Sequence, residues 1–474
     1  MGVLVRKSVT RTLFSMAFPM LAGTFAMNAY NLTDTWFVSR LGTIPLAAMG
    51  FTFPVVMILH CIAGGMGMGV TTLASHALGR RDHIAAARWV THGGILVMGV
   101  TVLVSIVGYF FLNTIFARLG AGEKTLPLVG QYMGIYFLGA PIMALPMLGN
   151  GILISAGDSR SASRVILLGA FLNVILDPIM IFGYLGCPAM GITGAALATV
   201  LANVISIAWM LRLLYRRHRL ISFHSMGFGA ILASVRDILR FAIPNMFSML
   251  LMPISATVIT KILSGFGTEA VAAAGAAGRI EMFAFMIPMA LGMSLTPFVS
   301  QNFGAGRVDR VREAQKKATI FALAYGGFIA VTFFLAAPLL ASIFTEDANV
   351  IETIVLYIRI ISFGYGMMEV HRYCGFFLTG LHKPLSATAL NVIRVFVFLI
   401  PLACLGAHFW GLRGLFFGRL VTDVAVGCVG LLWAFRASRA ALAAMQAQPP
   451  TPESDQDVLT DAADAAGRIF ERDI

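Results

Sequence analysis

The sequence predicts an all-α polytopic membrane protein, with twelve transmembrane helices in two six-helix lobes related by an internal repeat. Three observations lead there. The 474 residues are 58% hydrophobic and 12% charged, with a mean hydropathy of +0.85, whereas a soluble domain carries about 25% charged residues. Apolar runs of roughly 20 or more residues recur along nearly the whole chain, as helices need to cross a hydrocarbon layer about 30 Å thick. The short alternating segments of a membrane barrel are absent. Finally, the second half of the chain repeats landmarks of the first at matched spacing.

The apolar runs place spans at about 13–38, 46–75, 89–112, 127–155, 161–185, 191–215, 239–264, 270–300, 317–344, 350–380, 385–407 and 412–436. The first follows Arg6, Lys7 and Arg11, but it is longer than a signal-peptide core of about 7–15 residues and has no small-residue cleavage site, so it reads as a span. Lys and Arg then mark every second connection: the N-terminus, Arg80/Arg81/Arg88, Arg160/Arg164, Arg212 to Arg240, Arg307 to Lys317, Lys383 and Arg436/Arg439. By the positive-inside rule both termini are expected in the cytoplasm.

A basic linker at 216–237 separates an expected N-terminal lobe (1–215) from a C-terminal lobe (238–437). Leu13-Phe-Ser-Met-Ala-Phe-Pro19 aligns with Ile238-Leu-Arg-Phe-Ala-Ile-Pro244, Gly42-Thr43 with Gly267-Thr268, and Gly79-Arg80-Arg81-Asp82 with Gly306-Arg307-Val308-Asp309. Further on, Asn173-Val-Ile aligns with Asn391-Val-Ile and Gly191-Ile-Thr-Gly194 with Gly411-Leu-Arg-Gly414. Six spans is an even number, so the halves share one orientation. Parallel repeats around a central cavity are a transporter architecture.

The net charge is +12, but residues 449–474 hold seven acids and two arginines, which leaves +17 on the rest. That excess sits in alternate loops and is a topology signal, not a nucleic-acid footprint. The segment 438–474 is expected to be a polar, acidic, disordered tail. Cys61, Cys187, Cys374, Cys404 and Cys428 lack metal-ligand spacing and read as small core residues.

Asp34 and Asp177 stand inside apolar runs. An Asp at the bilayer centre costs about 2.5–3.5 kcal/mol on insertion scales, so it is a functional-site hypothesis by default. Neither has a Lys or Arg three or four residues away to neutralise it. The repeat acts as an internal control: the second half has Ile259 opposite Asp34 and Val395 opposite Asp177. A carboxylate in such a place can take up and release a proton near neutral pH or hold a sodium ion. The bland alternative is a protonated Asp that glues two helices together. Asn173 shares a helix face with Asp177, and Pro178 leaves the carbonyl of Val174 without a donor. Tyr30, Asn31, Tyr132, Tyr136, Asn150, Thr199 and Asn203 could add oxygens to a shell for a small cation, or simply bond between helices.

In the second half Arg419 and Asp423, four apart, are expected to pair. Glu281, Glu369 and Arg394 form a possible second polar site, with either Glu as a partner for Arg394. Seven of the 26 methionines fall on spans seven and eight, a flexible lining suited to greasy ligands or to ordinary packing. Gly64-Gly65-Met66-Gly67-Met68-Gly69 lacks the strand and Lys of a phosphate loop and reads as a close-packing helix face. No nucleotide-hydrolysing domain is visible.

With these residues in hand the chain resembles the multidrug and toxic compound extrusion (MATE) transporters over about 10–437. The resemblance rests on Tyr30-Asn-Leu-Thr-Asp34-Thr with Leu41-Gly42-Thr43, on Asn173 to Pro178 and on Gly191-Ile-Thr-Gly-Ala-Ala-Leu-Ala-Thr199. It also rests on Gln301-Asn302-Phe-Gly304-Ala-Gly306-Arg307 and on Arg394 with Pro401. It implies a V-shaped, monomeric, cofactor-free protein of the bacterial inner membrane. Such a protein exports amphipathic organic cations and drugs in exchange for H+ or Na+ by alternating access.

The resemblance further implies that Asp34, Asn173 and Asp177 form the cation-coupling site, with Tyr132, Thr199 and Asn150 as polar neighbours. The first three would be metal ligands only for Na+. In one respect the chain departs from the pattern: Phe241 to Ile259 holds no acid, where some members carry an essential Glu. Rival expectations are a lipid-linked precursor flippase, against which the few intramembrane basic residues argue, and a channel or receptor. For a membrane enzyme no nucleophile, base and metal constellation is visible.

Overall fold

The structure, a computed structural model, describes residues 3–222 and 227–447, and among these it contains helices, turns and no strand. The spans are α1 (Val9–Ser39), α2 (Thr43–Gly79), α3 (His83–Phe110), α4 (Leu126–Ser155), α5 (Ser159–Phe182) and α6 (Ile192–Arg212), then α7 (Phe228–Ser264), α8 (Thr268–Gly304), α9 (Val308–Ser342) and α10 (Ala348–Gly380). The last helical stretch turns back on itself at Trp410 and Gly411 and supplies α11 (384–410) and α12 (411–447). Gly406 lies against the Gly414 carbonyl and Gly418 against that of Leu402, as an antiparallel hairpin requires. Ten helical stretches are apolar enough to cross a bilayer among the described residues. The hairpin counts as one of them, and α1 reaches span length while diluted by its polar residues. This is the twelve-helix architecture expected from the apolar runs.

Helices form because in hydrocarbon every backbone N–H and C=O must be satisfied within the chain. Their starts are set by short acidic side chains. Asp82 accepts from Ala85 N at 2.8 Å, Asp158 from Ser161 N at 3.1 Å, and Asp347 from Asn349 N at 2.9 Å. The repeat is visible in backbone angles. Gly42 (φ 117, ψ 179) matches Gly267 (φ 101, ψ 169), and Gly191 (φ 57, ψ −133) matches Gly411 (φ 58, ψ −142). These left-handed turns suit glycine alone.

Within the first lobe α1 packs on α5, α2 on α3 and α4, and α6 on α4 and α5; in the second, α10 is the hub for α8, α9 and α12. The lobes meet where α2 crosses α7 and α8. A Cβ on Gly65 would sit 2.5 Å from Met246 N, one on Gly79 2.1 Å from Gln301 O, and one on Gly304 2.3 Å from His76 O. The glycine-rich face of α2 is therefore a packing seam, as its sequence context indicates. At the other end Gly42, Gly50, Gly267, Gly275 and Gly278 face open space. The V is closed at the Arg80/Arg307 end and open at the Gly42/Gly267 end.

Two boundaries differ from the sequence expectation. Helix α7 begins at Phe228, inside the 216–237 linker, and the segment before it is docked: Leu220 is buried, Ser222 N donates to Thr91 Oγ1 at 3.0 Å, and His218 Nε2 lies 3.1 Å from Asp158 Oδ2. Helix α12 continues to Ala447 with Ala437, Ser438 and Ala441 buried, so the tail does not start at 438. Small residues on one helix face, Ala437, Ser438 and Ala441, carry the packing past Arg436 and Arg439. The acidic stretch beyond 447 lies outside the described residues.

Candidate functional site

Two contacts set the register of α1 on α5. Ser159 Oγ donates to Ser15 O at 3.3 Å, and Gly23 faces Ser163, where a Cβ would be 3.3 Å from its Oγ. Both helices run in the same direction at that offset, so Asp34 arrives at the level of Asp177. Both acids are buried, with 6% and 0% exposure.

The α5–α6 connection brings in the third helix. Met190 N donates to Met180 O at 3.0 Å and Gly191 N to Ile181 O at 3.1 Å, while a Cβ on Gly194 would meet the Met180 carbonyl at 2.4 Å. This pins the start of α6 against the end of α5 and places Thr199 beside Asn173. Asn173 Nδ2 donates to Thr199 Oγ1 at 3.1 Å and to Asp177 Oδ1 at 3.3 Å, and the Thr199 hydroxyl donates to Ala195 O at 3.1 Å. Tyr132 stacks on Tyr136 with centroids 6.1 Å apart. Tyr132 and Tyr30 lie within electrostatic range of both carboxylates.

Asp34 Oδ1, Asp177 Oδ2 and Asn173 Oδ1 are buried and receive no hydrogen bond from any described residue. Leaving a buried acceptor unpaired costs about 1–3 kcal/mol, more when it is charged. Protons or a small hard cation would satisfy these oxygens. Among the described residues no three His, Cys, Asp or Glu side chains gather to hold a metal ion.

Asn150 is not part of this cluster. It stands on the same helix as Tyr132 but eighteen residues further along, a rise of about 27 Å. Its neighbours Gly149 and Gly151 face Met210 and Thr71 near the closed end. Shared helix and residue type suggested the grouping, and distance along the axis removes it.

The second lobe also rearranges the expected pairs. Arg419 keeps the expected ion pair with Asp423 only at its limit, Nε to Oδ2 4.0 Å, and its closer partner is Glu281, which its Nη2 reaches at 2.9 and 3.0 Å. Tyr365 OH adds a bond to Glu281 Oε1 at 3.1 Å, and Arg419 also donates to Tyr357 OH. Arg394 takes Asp423 at 3.2 Å, so neither Glu281 nor Glu369 is its partner. Glu369 pairs with Arg372, Nη1 to Oε1 at 3.0 Å, three residues along its own helix. That spacing was readable as an ion pair in the sequence. Glu281, Glu369 and Arg394 therefore each have a counter-ion, unlike Asp34 and Asp177.

Comparison with known proteins follows this geometry. The chain is 33% identical over 425 residues to a FAD transporter of Shewanella oneidensis, covering 90% of this chain and 94% of that one. It is 23% identical to the multidrug export protein MepA of Staphylococcus saprophyticus over the same shares of each chain. The crystal structure of the Vibrio cholerae MATE transporter VcmN in its bent form superposes with a TM-score of 0.85 at 30% identity, covering 91% of this chain and 98% of that one. An outward-facing multidrug resistance MATE family transporter gives 0.86 at 26% identity, covering 92% and 98%. The MatE family model matches twice, over 19–179 in one lobe and 244–405 in the other. With both lobes matched and the V-shaped twelve-helix fold shared, this multi-pass membrane protein belongs to the MatE family of transporters.

Proposed function

We propose that the chain is a secondary active exporter that moves amphipathic organic cations out across the bacterial inner membrane in exchange for H+ or Na+. Asp34 and Asp177, oriented by Asn173, Thr199 and Tyr132, are its coupling site. The observation that carries the reading is the set of buried acceptor oxygens without donors on Asp34, Asp177 and Asn173. The repeat adds to it, because the second lobe has apolar residues at the matching positions. With both termini in the cytoplasm, the closed Arg80/Arg307 end faces inward and the open end outward. An ion entering from outside neutralises the pair and changes the packing around Pro178. That favours the state that has released cargo, because a ligand shifts a conformational equilibrium only by its differential affinity for the two states.

A second reading concerns the cargo. The relative at 33% identity is named a FAD transporter, whereas the multidrug transporters compared match at 23–26%, which favours a flavin dinucleotide. Efflux from cells expressing the chain, with the sodium and proton gradients varied separately, tests both readings. Gradient-driven loss of ethidium supports the first cargo and gradient-driven appearance of FAD in the medium the second. Efflux that ignores both gradients overturns ion coupling.

A further inference from the structure

The closed end of the cleft holds two imidazoles that the transport chemistry does not use. His76 lies near the end of α2 in the first lobe, and His382 lies in the turn between α10 and α11 in the second. Their ring centroids are 4.3 Å apart across the lobe seam. The backbone carbonyl of Ser300 lies within electrostatic range of His76 and that of Thr72 within range of His382, so each ring faces the opposite lobe. Ser300 Oγ ties the arrangement together, donating to Thr72 O at 2.7 Å and lying 3.4 Å from His382 Nε2. Phe303 is 5.7 Å from one ring and 5.9 Å from the other, and Phe241 is 5.0 Å from His382. The backbones beside them touch at Gly79/Gln301 and Gly304/His76, while both rings stay half-buried and open to a proton from that side.

Against a positive charge on His382 stand burial and the neighbouring ring, which outweigh the one carbonyl, that of Thr72, that favours it. From α7 the pair faces Phe241, from α8 Ser300 and Phe303, and from the turn the backbone next to Lys383. From α2 it faces Arg80, the charged side chain whose field reaches His76. Among the described residues no carboxylate acts on either ring. Burial first, and then the neighbouring His76, hold His382 well below the ordinary imidazole range, at about 3.

We propose that His76 and His382 form a proton-sensitive seal between the lobes: as neutral imidazoles they hold this end shut, and protonation from that side drives the lobes apart. The sign follows from linkage. The sealed state binds fewer protons than the parted one, so acid favours parting. The seal is complete above the ordinary imidazole pKa of about 6.5 and weakens as pH falls below it. Each histidine can shift the open-to-sealed ratio up to about tenfold per pH unit in that window. Under the orientation proposed above, the device reads cytoplasmic acidity, and it is independent of which cargo or ion the exporter uses.

The test is a distance measurement between spin labels at Ile84→Cys and Lys316→Cys, with the native cysteines replaced, on the purified full chain from pH 8 to pH 5. The long-distance population should grow at least tenfold across that range. It should stay flat in His76→Gln/His382→Gln, and respond at about half the logarithmic slope in His382→Gln alone. The same series in Asp34→Asn/Asp177→Asn separates this seal from the coupling site. A response that survives there and vanishes in the histidine variants supports the seal. A response lost with the carboxylates but kept in the histidine variants, or a wild-type distance that does not move with pH, overturns it.

Discussion

Asn173 places its amide nitrogen 3.3 Å from Asp177 Oδ1, one helical turn along α5, while holding Thr199 of α6 with the same group. The amide thus fixes one carboxylate oxygen and leaves Asp177 Oδ2 without a donor. In the second lobe Asn391 instead meets His371 Nε2 at 3.1 Å, and Val395 fills the place of the acid.

The carboxylates are expected to be indispensable and the amide supportive. Asp34→Asn and Asp177→Asn should each abolish gradient-driven efflux with the melting temperature in detergent little changed. Asn173→Ala should weaken apparent ion affinity about fivefold, the equivalent of one hydrogen bond of about 1 kcal/mol. Efflux assays over a range of driving-ion concentration check this; retained transport in both Asp variants would sink the coupling role.

The Glu281–Arg419 pair is expected to support the fold. Removing one partner of a buried ion pair costs about 3–5 kcal/mol, so Arg419→Met should lower the melting temperature by several degrees. Glu281→Gln/Arg419→Met together should recover part of the loss. Equal melting of single and double variants would point to steric disruption in place of an uncompensated charge.

The seam between α2 and α8 has no space for a methyl group at Gly79, where a Cβ would lie 2.1 Å from Gln301 O. Gly79→Ala should wedge this end open. A cysteine at Ser75, buried in the closed form, should then react several times faster with a water-soluble thiol reagent. Unchanged labelling would show that the helices slide past the added carbon.

Asp158 anchors the inter-lobe segment. Burial opposes its charge, but bonds from the Ser161 hydroxyl and backbone, from His218 and the charge of Arg217 outweigh that and hold its carboxyl below the usual range. A depressed carboxylate pKa stabilises the folded form above the unfolded pKa of about 3.9 and loses that contribution as pH falls through the folded value. Limited proteolysis within 216–222 should therefore stay slow down to about pH 4 and accelerate below it. Asp158→Ala should be cleaved quickly at neutral pH.

Much of the architecture was legible in the chain. Spans, their repeat and the two unpaired acids could be read because hydropathy, loop charge and aligned motifs are local or periodic properties, and because the bilayer forces each apolar run into a helix. The Gly42/Gly267 and Gly191/Gly411 turns show the same periodicity surviving into backbone angles. Partner choice was less legible. Spacing of four suggested Arg419 with Asp423, yet Arg419 lies closer to Glu281, 138 residues away.

What the sequence determined by itself is that this is a twelve-span, two-lobed membrane protein with its unpaired acids in one lobe, since burial of a lone Asp in an apolar run is decided by composition. Only the tertiary structure decided that Asp34 and Asp177 stand at one level, that Asn150 belongs elsewhere, and that His76 meets His382. Those relations depend on the register of helices far apart in the chain, and register is set by packing contacts such as Ser15 on Ser159 and Gly79 on Gln301, which no one-dimensional pattern carries.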